Sequence, residues 1–125
     1  MAIRIAPPIP VFRIFSVEKA REFYLDFLGF KIDFEHRFEP DLPLFMQVSR
    51  GECVLQLSEH HGGVTPGSAF SAAVRGFDEF HTELGGKNYR YMRPQVEDTP
   101  WGRRTFHVID PFGNTITFEE RAEPA

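Results

Sequence analysis

The chain has a single cysteine, Cys53, so no internal disulfide can brace it. That thiol lies in the apolar run Cys53-Val54-Leu55-Gln56-Leu57, where a buried, unreactive side chain suited to a reducing compartment is expected. No apolar stretch approaches the roughly 20 residues needed to cross a bilayer. Met1 to Pro8 also lacks the apolar core of a secretory leader, so a soluble cytoplasmic protein with no membrane partner is expected. Positive charge is in short supply as well: 14 Lys and Arg stand against 18 Asp and Glu, a net charge of -4. Binding to nucleic acid rests on surplus Lys and Arg facing phosphates, so no nucleic-acid partner is expected and a cationic ligand is favoured over an anionic one. Catalytic signatures are missing too. Ser49, Ser58 and Ser71 have no His and Asp partners at a readable spacing, and Gly62-Gly63 and Gly85-Gly86 lack the strand-loop-helix setting of a nucleotide site.

Aromatic residues, by contrast, are plentiful: 14 Phe, 3 Tyr and 1 Trp. That is more ring surface than the core of one small domain requires, so part of it is expected to meet a ligand or a partner chain. The length of 125 residues fits one domain over 1–125.

Pro10 to Phe15 is β-branched and aromatic and reads as a strand. Ser16 caps a helix with Glu18 in its first turn, and Val17, Ala20, Phe23, Tyr24, Phe27 and Leu28 share one face before Gly29 stops it. Alternation over Phe30 to Glu35 predicts a strand with one buried and one wet face. Strands follow at about Leu44 to Val48 and Cys53 to Ser58. After the glycine- and proline-rich stretch His61 to Gly67 the same order begins again. It runs through a strand at Ala69 to Arg75, a helix from Phe77 stopped by Gly85-Gly86, then strands at Tyr89 to Arg93, Arg103 to Asp110 and Thr115 to Glu119. Offset by sixty residues, Val17 falls on Phe77, Ala20 on Phe80 and Tyr24 on Leu84. The chain therefore reads as a duplicated βαβββ unit, repeat one at about 9–60 and repeat two at about 68–120, neither able to bury both faces of its sheet alone.

Three segments carry a family resemblance. Ser16 to Phe30, ending in Phe-Leu-Gly-Phe, resembles the first helix of the vicinal-oxygen-chelate superfamily of glyoxalases, bleomycin-resistance proteins and dioxygenases. Asp110-Pro111-Phe112-Gly113-Asn114 resembles its DPxGN turn, and Thr99-Pro100-Trp101-Gly102-Arg103 is similar to a loop of the bleomycin-resistance branch. The resemblance implies an α+β fold in which two βαβββ repeats form curved mixed sheets around a cleft. Enzymes of the superfamily hold a divalent metal there, and the resemblance carries three of the ligand positions onto Ile9, Ala69 and Thr117. Ile and Ala have no donor atom and a Thr hydroxyl is a poor ligand, so neither metal nor other cofactor is expected. A fourth-strand ligand would fall on Gln56, alone. Without a Lewis acid the chemistry of the enzymes is not expected, and the resemblance implies non-catalytic sequestration of a small aromatic, cation-bearing molecule such as a bleomycin-type antibiotic.

Residues two apart on a strand share a face, so Val11, Arg13 and Phe15 are expected beside Ile9; Ser71, Ala73 and Arg75 beside Ala69; and Thr115 and Glu119 beside Thr117. The candidate ligand-binding set is Phe38, Trp101, Arg13, Gln56, His107 and Glu119. Trp101 is either a stacking platform or a plug from loop to core, Phe38 either a platform or a dimer contact, and His107 either a cleft residue or a satisfied structural group. His60 and His61, beside Glu59, are the alternative metal cluster, and together with His107 and Glu119 they would serve an enzyme that had relocated its ligands. A third reading is a dimeric interaction module whose cleft is filled by its own side chains. The resemblance implies a homodimer, often with the first strand exchanged, and Pro7-Pro8-Ile9-Pro10 suits either a hinge or a rigid lead-in.

Overall fold

The computed structural model describes residues 2–122. The first repeat opens with β1 (Val11–Arg13), short because Pro10 can accept a ladder bond from Gln56 N–H at 2.9 Å but has no N–H to donate. Ser16 then caps α1 (Val17–Arg21), its hydroxyl accepting from Lys19 N–H at 3.2 Å. The helix widens at once into a π-helical stretch (Glu22–Phe27), marked by the Leu28 N–H to Phe23 C=O bond of 2.9 Å. Gly29 ends it at a φ of 75°, and a Cβ there would stand 2.7 Å from the Arg50 guanidinium. Three strands complete the unit: β2 (Lys31–His36), β3 (Phe45–Arg50) and β4 (Cys53–Ser58).

The second repeat runs β5 (Ala69–Val74), α2 (Phe77–Gly86), β6 (Glu97–Asp98), β7 (Arg104–Ile109) and β8 (Thr115–Glu120). No side chain caps the start of α2, and Asp78 and Glu79 in its first turn meet the helix dipole instead. Its end passes through both Gly85 and Gly86 rather than stopping before them, and Lys87 beyond it donates to the Asp26 and Phe27 carbonyls at 2.8 Å each, closing the end of the π-helical stretch.

Each repeat makes one four-stranded sheet, ordered β1-β4-β3-β2 and β5-β8-β7-β6. The first pair of each order is parallel and the others antiparallel, as the helical crossover from β1 or β5 requires. This mixed-sheet α+β architecture has the two-repeat form that the resemblance implies. The helix-facing sides of the two sheets share a single core. Phe12 and Phe70, from the inner edge strands, stand 5.3 Å apart, and Phe27 stacks on Tyr89 at 4.7 Å. Among the described residues no helix is long and apolar enough to cross a membrane.

Two expectations fail. Tyr89 to Arg93 is not a strand: Tyr89 packs on Phe23 and Phe27, Asn88 turns at a φ of 51°, and the chain reaches only the two-residue β6. Nor does β2 have a buried face: it is an outer edge strand whose ladder with β3 slips between Ile32 and Phe34, leaving them 36% and 45% exposed. Cys53 is half-buried, and burial raises its thiol pKa above the ordinary value, consistent with an unreactive side chain.

Candidate functional site

Strand alternation sends Phe12, Met46, Val48, Leu55, Leu57, Phe106, Val108, Ile116 and Phe118 into the core and their neighbours to the opposite face of each sheet. On the first sheet that face carries Val11, Gln56 and Gln47 in one paired row, with Arg13, Ser58 and Phe45 in the next. On the second it carries the rows Ala69, Thr115, Ile109 and Ser71, Thr117, His107, then Ala73, Glu119, Thr105, Glu97. Four of the expected ligand residues, Arg13, Gln56, His107 and Glu119, therefore lie on these faces. Arg75 and Phe15 do not continue the rows, since β5 stops at Val74 and β1 at Arg13.

The first sheet's face holds a polar network that the sequence did not announce. The ladder between β2 and β3 slips by one residue between Ile32 and Phe34, and this bulge turns Asp33 toward Gln47 and Ser49. Asp33 accepts from Lys31 Nζ at 2.7 Å, Ser49 Oγ at 2.9 Å and Gln47 Nε2 at 3.1 Å, while Gln47 Oε1 accepts from Gln56 Nε2 at 3.0 Å. These donors, Lys31 foremost, hold the Asp33 carboxyl down at about 2. Unbroken alternation through Phe30 to Glu35 conceals the bulge; a charged residue between Ile32 and Phe34 is the only trace of it. Nearby, Phe34 stacks on Phe45 with centroids 6.2 Å apart.

Phe38 and Trp101 occupy matching places, in the β2–β3 and β6–β7 connections on the outer edges of their sheets. Trp101 is 68% exposed, so the plug reading is wrong: the Thr99 N–H to Arg103 C=O bond of 2.7 Å and the positive φ of Gly102 close a tight loop that holds the indole outward. Phe38 is 73% exposed and meets His36 edge-on at 4.7 Å. The Arg13 guanidinium lies over the Phe15 ring at 4.6 Å. On the second sheet Glu97 and Glu119 have no ion-pair partner among the described residues.

Of the three positions onto which the resemblance carries metal ligands, Ile9 lies just before β1 and is 44% exposed, Ala69 opens β5, and Thr117 sits in mid-β8 between Ser71 and His107. The relocated set does not converge either. Glu59 is engaged by Leu44 N–H at 2.9 Å and stands 3.7 Å from Arg37, and His60 and His61 lie beyond the end of β4. Among the described residues no three His, Cys, Asp or Glu side chains form a group that could hold a metal ion.

The sequence profile of glyoxalase superfamily proteins matches residues 2–125. The chain belongs to the glyoxalase superfamily. Its structural neighbours within the superfamily include a bleomycin-binding protein from bleomycin-producing Streptomyces verticillus, complexed with copper(II)-bleomycin. That protein is 29% identical at a TM-score of 0.70, covering 98% of this chain and all of the other. A glyoxalase/bleomycin resistance protein/dioxygenase superfamily member from Sphaerobacter thermophilus is 27% identical at a TM-score of 0.67, covering 94% and 98%. A lactoylglutathione lyase from Agrobacterium tumefaciens, 17% identical at a TM-score of 0.66 over 94% and 95%, shares the fold alone. No curated protein sequence matches the chain. The fold by itself therefore assigns no activity to the chain.

Proposed function

We propose that the protein binds and sequesters a small aromatic, cation-bearing molecule of the bleomycin type, and that no bond is made or broken. The observation that carries this reading is the make-up of the sheet faces. Non-coordinating side chains stand at Ile9, Ala69 and Thr117, while polar and aromatic groups suited to holding an organic ligand surround them. Trp101 and Phe38 are free to stack on a flat heteroaromatic ring, and Gln56, Arg13 and His107 offer hydrogen bonds. Glu119 and Glu97 supply the negative field that draws a cation.

One sheet face alone is open to solvent, so the ligand is enclosed when two copies of the chain bring their faces together as a homodimer, with Phe34 and Ile109 covered in the process. Titration calorimetry against copper-free and copper-loaded bleomycin tests the proposal. Binding at one site per chain is expected, and Trp101→Ala is expected to weaken it by about 1 to 3 kcal/mol with the dimer intact. No heat of binding from the wild-type protein rejects this ligand; an unchanged affinity in the variant rejects the stacking role.

A further inference from the structure

On the proposed ligand face the hydrogen bonds from Gln56 through Gln47 to Asp33 all run in one direction. A carboxylate accepts and never donates, so the group that Gln47 turns toward Asp33 has to be its NH2. Gln47 Oε1 is thereby committed to the other side, where it accepts from Gln56 Nε2. Gln56 has then spent one N–H of its NH2 inward, which fixes the amide so that its Oε1, accepting from no described residue, is left for the open face in the row of Val11. Reversing either amide would set a lone pair against a lone pair at the next link. The polarity at Gln56 is therefore decided two strands away, at the bulge that turns Asp33 inward, and Lys31 and Ser49 hold the Asp33 acceptors in place.

Resting on the reading of this face as the ligand site, we propose that Asp33 is a positioning residue. Through Gln47 it presents the Gln56 carbonyl outward, so that the site selects ligands offering an N–H or O–H donor at that point. An ammonium, guanidinium or amide N–H satisfies the exposed oxygen. A ligand with only acceptors there meets an opposed lone pair and leaves the oxygen unsatisfied on desolvation. The acidic side chains of the second sheet favour the same class of ligand, by charge rather than by hydrogen-bond direction.

Two measurements test this, and they separate failure of the relay from failure of the ligand. In 15N-labelled protein without ligand, each of the Gln47 and Gln56 side-chain amides is expected to show one hydrogen-bonded, slowly exchanging proton. Asp33→Asn, which can donate as well as accept, is expected to abolish that protection at Gln56 while the backbone amides of β3 and β4 stay protected. Gln56 side-chain signals that do not change in the variant overturn the relay, whether or not any ligand binds. In calorimetry with bleomycin, Asp33→Asn and Gln56→Leu are each expected to weaken binding up to about tenfold, as for loss of one hydrogen bond. The double variant is expected to bind no more weakly than Gln56→Leu alone. Additive losses overturn the positioning role, since Asp33 would then act independently of Gln56. If wild-type protein fails to bind bleomycin, the ligand reading falls and the amide spectra decide the relay.

Discussion

At one junction between the repeats the β7–β8 turn, Asp110 to Asn114, meets the first helix through buried Asp110; at the other the β3–β4 turn, Arg50 to Cys53, meets the second helix through a half-exposed Arg50. Hollows of about 740 and 590 Å3 flank the β3–β4 and β7–β8 turns respectively, so looseness is not what separates the two junctions. The burial of their polar contacts is. Asp110 accepts from Tyr24 Oη at 2.6 Å, Asn114 Nδ2 at 2.9 Å and the backbone N–H groups of Phe112 and Asn114 at 2.9 and 2.8 Å. Asn114 also reaches back to the Arg13 carbonyl at 2.9 Å. Tyr24, Asp110 and Asn114 are buried. At the other junction Arg50 grips Glu83 through two bonds of 2.6 and 2.9 Å, yet the two side chains are 38% and 39% exposed. The same task, tying a turn of one repeat to the helix of the other, is done by a desolvated network in one place and by a wet ion pair in the other.

That contrast orders the effects of breaking each contact. Asp110→Ala is expected to be the most damaging, by roughly 3 to 5 kcal/mol in urea unfolding, because it strands buried donors on Tyr24, Phe112 and Asn114 together. Tyr24→Phe removes one hydrogen bond to a charged acceptor and leaves the other three, so about 1.5 to 3 kcal/mol is expected. Its pH dependence sharpens the point. Burial, then the Asp110 charge and hydrogen bond, push the Tyr24 phenol well above its usual range. A group whose folded pKa is raised contributes stability in full below its unfolded pKa, about 10 for tyrosine, and that contribution is lost as pH rises beyond it. The wild-type advantage over Tyr24→Phe is therefore expected to shrink above about pH 10.

Glu83→Gln is expected to change stability least, by about 0 to 1 kcal/mol, and less at high salt. Arg50 holds the Glu83 carboxyl below its usual range. A lowered carboxyl stabilises above its unfolded pKa and loses that effect on acidification, so the small wild-type advantage is expected to vanish below about pH 4. Equal losses for the Asp110 and Glu83 variants would contradict the comparison, since they would show that burial does not distinguish the junctions.

The sequence foretells the parts of this molecule that depend on local pattern. Cys53 to Ser58 is a strand with the expected bounds, Ser16 is the cap, and the internal repeat is visible in the helix offsets. What it hides depends on long-range packing. Tyr89 and Tyr91 have the residue type of a strand, but Tyr89 packs on Phe23 and Phe27 and the segment turns. Ile32 and Phe34 alternate as if they shared a buried face, but on this edge strand the bulge between them puts one in register with Val48 and the other with Gln47. On the open sheet faces, Arg13, Gln56, His107 and Glu119 could be aligned by counting residues two apart. Asp33 could not be placed with Gln47 and Ser49, because a bulge in β2 changes the count there without changing the composition.

The widened stretch Glu22–Phe27 has a consequence for how the two halves can be laid on each other. A residue inserted into an uninterrupted α-helix would turn everything beyond it by about 100°, whereas a widened turn takes up one extra residue and keeps the faces on either side in line. Here the widened turn lies between the cap at Ser16 and the side chain of Leu28, and Phe27 and Leu28 both stay buried. The second helix carries no such stretch. The two helices therefore cannot be superposed residue for residue along their whole lengths.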